Sequence, residues 1–408
     1  TDGETLKRFR VFLPPDSLKW EKVKQIIEKW FKLYGFLPVE TPIVEFDELM
    51  RPEKQENENT DGAISDRFRL KDRGNRELGL RYEFTFQLAR LLKFNPNLKL
   101  PFKRYQIGPV FRDEPISSNR FRQFTQCDAD TIGEASVNAD AEILSMFSEI
   151  LNELKIKTEI QVNNRKLLNA IIESVQIEQT KEVMRELDKT DKIGLDQVKG
   201  NLRKFTTTNQ IITLFRILEK DISFFKENAF AGIEELEELI ENCRDYGVKV
   251  TFNPFLVRGF AYYTGNIFEI TSADENIKGS IAAGGRYDKT VGKYLFRDIP
   301  AVGCSFGLER VTEIANIKIE SPTKALLISI SQDSETIKLS KKLRKSLISC
   351  AVNFDKPGKA MEYANAMTIP HVIFVGEEEI SKKKYKLKNM QSGKESFLTE
   401  NQLIKALK

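Results

Sequence analysis

FKRYQIGPVFRDEPISSNRFRQFTQCDADTIG, residues 102–133, sets two strand-like runs on either side of a short breaker segment. FKRYQIGPVFRDE and FRQFTQCDADTIG are rich in aromatic and apolar residues, and residues 115–119, opening on Pro115, supply the loop between them. The pattern predicts a long antiparallel hairpin. On its second strand Gln126, Asp128 and Asp130 stand two apart, so their side chains share one face.

Upstream, residues 18–34 (LKWEKVKQIIEKWFKLY) space apolar residues by three and four, as an amphipathic helix does. Gly35 ends it, and FLPVETPIVEF follows as an extended segment with Pro38 and Pro42. Residues 52–66 are a polar, breaker-rich loop. Residues 67–85 (RFRLKDRGNRELGLRYEFT) read as a second hairpin turning at residues 72–75, with Glu83 and Thr85 on one strand face. A short helix over residues 86–92 leads into the first hairpin. Downstream come a helix over 139–154 and the strand KTEIQVN.

From Arg165 to about Asp245 helical periodicity and dense charge (EELEELIENCRD) indicate a helical insertion. Strand patterns resume in VKVTFNPF, VRGFAYYTGNIFEITS and SIAAGGRYD, and AVGCSFGLERVTEI reads as a strand entering a helix. After Ser321-Pro322, ALLISIS, CAVNF and HVIFVG alternate with helices over 335–348, near 359–366 and at the end. This predicts a small, mostly parallel sheet covered on both faces. The expected class is α+β. One antiparallel-sheet domain spans 1–164 and 246–321, interrupted by a helical insertion at 165–245 and followed by an α/β domain at 322–408.

Composition excludes several functions. A net charge of +4 permits a nucleic-acid partner without demanding one. Cys127, Cys243, Cys304 and Cys350 form no CxxC pair, which argues against a disulfide framework or zinc site and fits a reducing, cytoplasmic setting. No run approaches the roughly 18 apolar residues of a membrane span, and the polar opening reads as no secretory signal. The single histidine, His371, introduces the apolar strand of TIPHVIFVG. That is a structural place, and it disfavours histidine-based hydrolysis.

No P-loop is present. GRYDKTVGK (residues 285–293) spaces its glycines too widely, and Tyr294 stands where Ser or Thr would bind magnesium. A bound nucleotide would need arginine forks on strands instead. Arg112, Arg258 and Arg310 are the candidates, each within or beside an apolar segment where a lone charge is costly. The plain alternative for each is an ion pair with a carboxylate such as Glu114 or Glu309.

These segments together carry a resemblance. The 111–133 hairpin resembles motif 2 of class II aminoacyl-tRNA synthetases, AVGCSFGLERV resembles motif 3, and GFLPVETPIVEF resembles motif 1, which builds a dimer interface. LVRGFAYYTGNIFEI and SIAAGGRYDKTVG resemble the two signature peptides of histidyl-tRNA synthetases, and LRYEFT that family's amino-acid-binding segment. NNRKLLNAIIES and LDKTDKIGLDQV are similar to its connecting and insertion helices. The last 85 or so residues resemble the anticodon-binding domain shared with the prolyl, threonyl and glycyl enzymes.

The resemblance implies a homodimeric ligase that activates L-histidine with ATP and Mg2+ and loads it onto tRNA-His. Glu83 and Thr85 would grip the substrate ammonium, and Gln126 would support the amino-acid end. Asp130 and Tyr263 would flank the imidazole, and Tyr287 would line the same pocket. A carboxylate and a phenol suit a ring with nitrogens on opposite flanks, although core packing is the alternative for both tyrosines. Arg112 would bind the α-phosphate with Glu114 nearby, Arg310 the γ-phosphate, and Arg258 would bridge α-phosphate and substrate carboxylate. The glycines Gly284 and Gly285 would let backbone approach the ligand.

Arg120 and Arg122 in the motif 2 loop, and Lys382, Lys383 and Lys384 in the basic run KKKYKLK, would face tRNA; a solvated charged face is the alternative. The family's first signature peptide carries Asp where Ala261 stands, which removes a carboxylate near Arg258. The opening RFRVFLPPDS keeps only the FLP core of the usual pattern. The rival reading is a non-catalytic paralogue that binds histidine as a regulatory subunit of histidine biosynthesis.

Overall fold

The computed structural model describes residues 4–50, 67–113, 121–258, 262–274 and 276–408, in two compact units, 1–317 and 318–408. In the first unit the strands are β1 (Leu37–Pro38), β2 (Val44–Phe46), β3 (Arg69–Lys71), β4 (Glu77–Leu80), β5 (Phe102–Phe111), β6 (Gln123–Ile132), β7 (Thr158–Asn164), β8 (Thr251–Phe252), β9 (Asn266–Ser272), β10 (Ser280–Arg286) and β11 (Ala301–Gly307). Eight form one sheet in the order β1-β5-β6-β11-β10-β9-β7-β8. Its six inner strands are antiparallel, and only the edge strands β1 and β8 pair in parallel. The expected hairpin is its centre: β5 and β6 pair so that Arg104 lies opposite Asp130 and Gln106 opposite Asp128.

Helix Asp16–Leu33 buries Val23, Ile26, Ile27 and Phe31, the stripe its spacing predicts. Gly35 follows it with φ +79°, a left-handed conformation that costs glycine little. Helix Asn138–Glu153 lies over the same core, where Phe147 stacks on Phe306 with ring centroids 4.2 Å apart. The stretch read as a helical insertion holds seven helices among the described residues, from Arg165–Ser174 to Ile233–Asp245. Leu168, Leu214 and Leu236 there join the core cluster of the first unit.

Two local readings are corrected. Residues 67–85 do form a hairpin, β3 with β4, alongside β2 in a three-stranded sheet. The second strand stops at Leu80, however, and Thr85 opens helix Thr85–Phe94. Glu83 is therefore no strand neighbour of Thr85. Its carboxylate accepts the backbone N–H groups of Thr85 and Phe86, at 2.7 Å each, and caps the helix. Both side chains still reach the same place, by a different geometry.

In the second unit β12 (Ala325–Ser329) lies between β13 (Cys350–Asn353) and β14 (His371–Val375), all parallel. Leu327 and Leu326 point into separate apolar clusters, so the sheet is covered on both faces as expected. The correction lies at its end. β15 (Tyr385–Asn389) and β16 (Glu395–Leu398) add an antiparallel hairpin that the sequence reading missed. The basic run closes helix Glu377–Lys382 and continues as β15. Tyr385, Lys386, Leu387 and Lys388 do alternate apolar and basic, but the preceding lysines make the stretch read as one charged run. His371 opens β14 with Nδ1 3.2 Å from the Lys324 carbonyl oxygen, the structural place expected of it.

Candidate active site

A cavity of about 290 Å³ opens over β6, β11 and β10. Its walls include Glu83, Thr85, Arg112, Gln126, Asp130, Arg258, Tyr263 and Tyr287, drawn from segments far apart in the chain. The strand faces explain the gathering. Gln126, Asp128 and Asp130 alternate on β6, and β11 faces them in register, with Ser305 opposite Asp128 and Gly303 opposite Asp130.

Only glycine fits at 303, because a Cβ there would lie 1.9 Å from the Asp130 carboxylate. At Gly284 the missing Cβ clears the carbonyl of Gly303, which it would meet at 2.0 Å. That glycine serves strand packing first, beside its place in the cavity wall.

Two hydrogen-bonded chains run through the pocket. The Gln126 amide donates to the Ser305 hydroxyl at 2.9 Å, and that hydroxyl donates to Asp128 at 2.5 Å. Tyr287 donates its phenol to Asp130, and the Arg104 guanidinium lies 2.6 Å from Asp130 on the other side. Burial pushes the Asp128 carboxyl up to about 7, opposed by Arg104, and pushes Asp130 and Glu83 upward as well. Burial also lifts the Tyr263 phenol to about 12, so it enters chemistry near neutral pH as a neutral donor or acceptor.

The cations are held without being neutralised outright. Arg112 is sandwiched between the rings of Tyr82 and Phe124, at 4.4 and 4.9 Å from their centroids. Its Nε has no hydrogen-bond partner among the described residues. Stacking fixes the guanidinium plane and leaves its N–H edge for an anion. Arg258 donates to Glu269 on β9 at 2.8 Å. Ala261, the departure noted in the signature peptide, lies outside the described residues; Arg258 has its carboxylate from Glu269 instead.

Not every expected residue joins this cavity. Arg310, on helix Leu308–Ile314, is not in its wall and donates to the carbonyl of Lys278. Its neighbour Glu309 does not pair with it: that carboxylate accepts the Thr125 N–H at 3.0 and 2.9 Å and ties the helix to β6. Arg122 pairs with Asp113 and lies 4.7 Å over the Phe68 ring. In the second unit Lys382 pairs with Glu378 at 2.5 Å, and Lys383 and Lys384 are exposed. Glu114 and Arg120 lie outside the described residues.

Sequence reasoning passed over Arg104, Tyr262, Ser305 and Glu269, and left Asp128 without a role. Arg104 carried a usable signal, since it stands in an apolar strand where an unpaired charge is costly. The buried pair Arg286–Asp140, which ties β10 to helix Asn138–Glu153, is a second such omission.

A family model described as histidyl-tRNA synthetase matches residues 8–311, and one described as anticodon binding domain matches residues 324–408. The chain belongs to the histidyl-tRNA synthetase family. A relative named histidine–tRNA ligase 1, from Bacillus cereus, is 38% identical over 413 residues, 96% of this chain and 96% of that protein. Histidine–tRNA ligase 2 of Shouchella clausii is 35% identical over 97% of this chain and 98% of its own length. The crystal structure of the histidyl-tRNA synthetase from Nostoc sp. PCC 7120 superposes with a TM-score of 0.86 at 27% identity. It covers 99% of this chain and 98% of that one. Family and fold thus agree with the α+β expectation: an antiparallel catalytic sheet followed by a separate α/β unit.

Proposed function

We propose that this chain is a histidine–tRNA ligase that joins L-histidine to ATP as histidyl-adenylate and then passes histidine to the 3′ end of tRNA-His. The observation that carries this reading is the shared cavity, in which eight residues assigned from the family's motifs line one space. Relatives bearing the ligase name match over nearly the whole length of this chain.

In the first step a substrate carboxylate oxygen bonds to the α-phosphorus and pyrophosphate departs. Arg112 and Arg258 stabilise the negative charge on the phosphate oxygens, and their partners hold them in place beforehand. Glu83 and Thr85 take the ammonium, while Asp130 and Tyr263 take the ring. In the second step the terminal ribose hydroxyl attacks the activated carbonyl carbon and AMP departs. Arg310, which is not in the cavity wall, takes the γ-phosphate in this reading.

Magnesium accompanies ATP in this family. Among the described residues no three His, Cys, Asp or Glu side chains gather into a metal site, and no step here is assigned to it.

A homodimer is part of the reading. Leu37, Ile43, Val44 and Phe46, in the segment resembling motif 1, are each more than two-fifths exposed, an apolar stretch suited to a second copy. No described helix is long and apolar enough to cross a membrane, and a cytoplasmic setting follows from the proposed reaction. Retained Arg112 and Arg258, with an anticodon-domain match at 324–408, favour the ligase over the regulatory paralogue.

The test is ATP–pyrophosphate exchange by the purified protein, with each standard amino acid supplied in turn. Exchange stimulated by histidine alone is expected, and exchange without preference for histidine would sink the reading.

A further inference from the structure

Arg104 is completely buried on β5, directly opposite Asp130. It is absent from the cavity wall and stands behind it. Its guanidinium is 2.6 Å from Asp130, yet among the described residues none of its three nitrogens has a hydrogen-bond partner of good geometry. A buried cation with five donors and one ion contact is expensive to keep for stability alone.

What surrounds it gives it work. Glu83 from the helix start, Asp128 and Asp130 from β6, and Tyr287 after β10 all act on Arg104 electrostatically. Tyr263 and Arg258 share the cavity wall with Asp130. Three carboxylates buried this close together resist being ionised at once, and Arg104 is the counter-charge beside them. Asp130 already accepts the Tyr287 phenol. As an anion it accepts at both oxygens and forms the stronger, charge-assisted bond to a ring N–H; as the neutral acid it keeps only part of that acceptor capacity and presents a proton as well.

We infer that Arg104 is a positioning residue that keeps Asp130 an anionic acceptor toward the imidazole slot, and through it sets the enzyme's preference for histidine. The inference rests on the histidine-activating reading. Arg104 touches neither substrate and acts through Asp130.

The experiment measures histidine and ATP KM values in pyrophosphate exchange for the full chain, with thermal unfolding alongside. Arg104→Met is expected to raise the histidine KM about tenfold or more, the loss of one bond to a charged group. The KM for ATP should stay within about twofold, because the phosphate arginines are untouched. The variant-to-wild-type ratio of histidine KM should shrink as pH rises, since higher pH restores the anion without help. Arg104→Lys, which keeps the charge, should recover most of the affinity.

In an Asp130→Asn background, Arg104→Met should add less than about twofold, because the two act as a unit. Should Arg104→Met alone fail to fold, that double variant removes both charges together and is compared with Asp130→Asn. Equal histidine KM values support the assignment, and a further loss overturns it. An unchanged histidine KM, an equal rise for ATP, or a pH-independent ratio also overturns it. If the wild type shows no histidine-dependent exchange, the reading of function has failed instead, a result distinct from all of these.

Discussion

Two side chains of the cavity wall differ in electrostatic character. Arg258 donates to Glu269 and lines the cavity, where we propose that it meets phosphate and carboxylate. Truncating it to alanine should slow pyrophosphate exchange by about 10²–10³-fold, the usual loss when one fixed charge-stabilising donor is removed. Histidine binding, followed by calorimetry, should remain detectable, and near-normal exchange by Arg258→Ala would disprove its role. Asp128 is the reverse case, a carboxyl that burial pushes up to about 7 in the folded chain. Unfolded, it ionises near 4, so between about pH 4 and about pH 7 the native state holds a proton that the unfolded state has lost. Stability from this group is complete below pH 4 and declines as pH rises through 7, with a slope of at most about 1.4 kcal/mol per pH unit. Urea unfolding at pH 5 and at pH 7.5 should show the decline in the wild type and less of it in Asp128→Asn. An identical pH dependence in both proteins would remove Asp128 as its source.

The elements explain why some of this was legible in the chain and some was not. The β5–β6 pairing could be read because each strand's alternation is plain in the sequence and Pro115 interrupts the run between them there. Asp130 and Gln126 were found with it, as period two fixes their common face. Glu83 lines the cavity by a geometry other than the expected one: LRYEFT looks like strand, but a helix begins inside it and takes that carboxylate as its cap. Arg104 was overlooked because its meaning depends on which residue lies across the ladder, and that pairing is long-range. The β15–β16 hairpin was missed because the five-residue alternation of β15 is short and runs on from Lys382, Lys383 and Lys384, so the stretch reads as one charged run. The same long-range logic makes Glu309 testable. Its carboxylate ties the end of β11 to β6 through the Thr125 N–H. Glu309→Ala should lower unfolding free energy by about 1–3 kcal/mol, the penalty for stranding a part-buried donor. A loss below a few tenths of a kcal/mol in urea titration would show that water replaces the carboxylate there.

At the scale of the whole chain, the proposed function divides activation, in the first unit, from anticodon recognition, in the second. Every residue assigned to histidine or ATP chemistry lies in the first unit, which has its own continuous core. The second unit has a separate sheet with apolar clusters on both faces, so its packing is self-contained. We propose that its exposed lysines, Lys383 and Lys384 among them, meet tRNA phosphates, a contact whose affinity should fall steeply with salt. A chain ending at Ile317 therefore keeps the full adenylate-forming pocket and loses the match to an anticodon-binding domain. Its histidine-dependent pyrophosphate exchange should stay within about tenfold of the full chain, while transfer of histidine to tRNA drops by about 10²-fold or more, the scale of losing several phosphate contacts at once. Exchange and charging are measured on the same preparation, with circular dichroism to show that the shortened chain is folded. Equal losses in both assays from a folded protein would mean that the second unit supports the pocket itself, and undiminished charging would mean that tRNA is held entirely by the first unit.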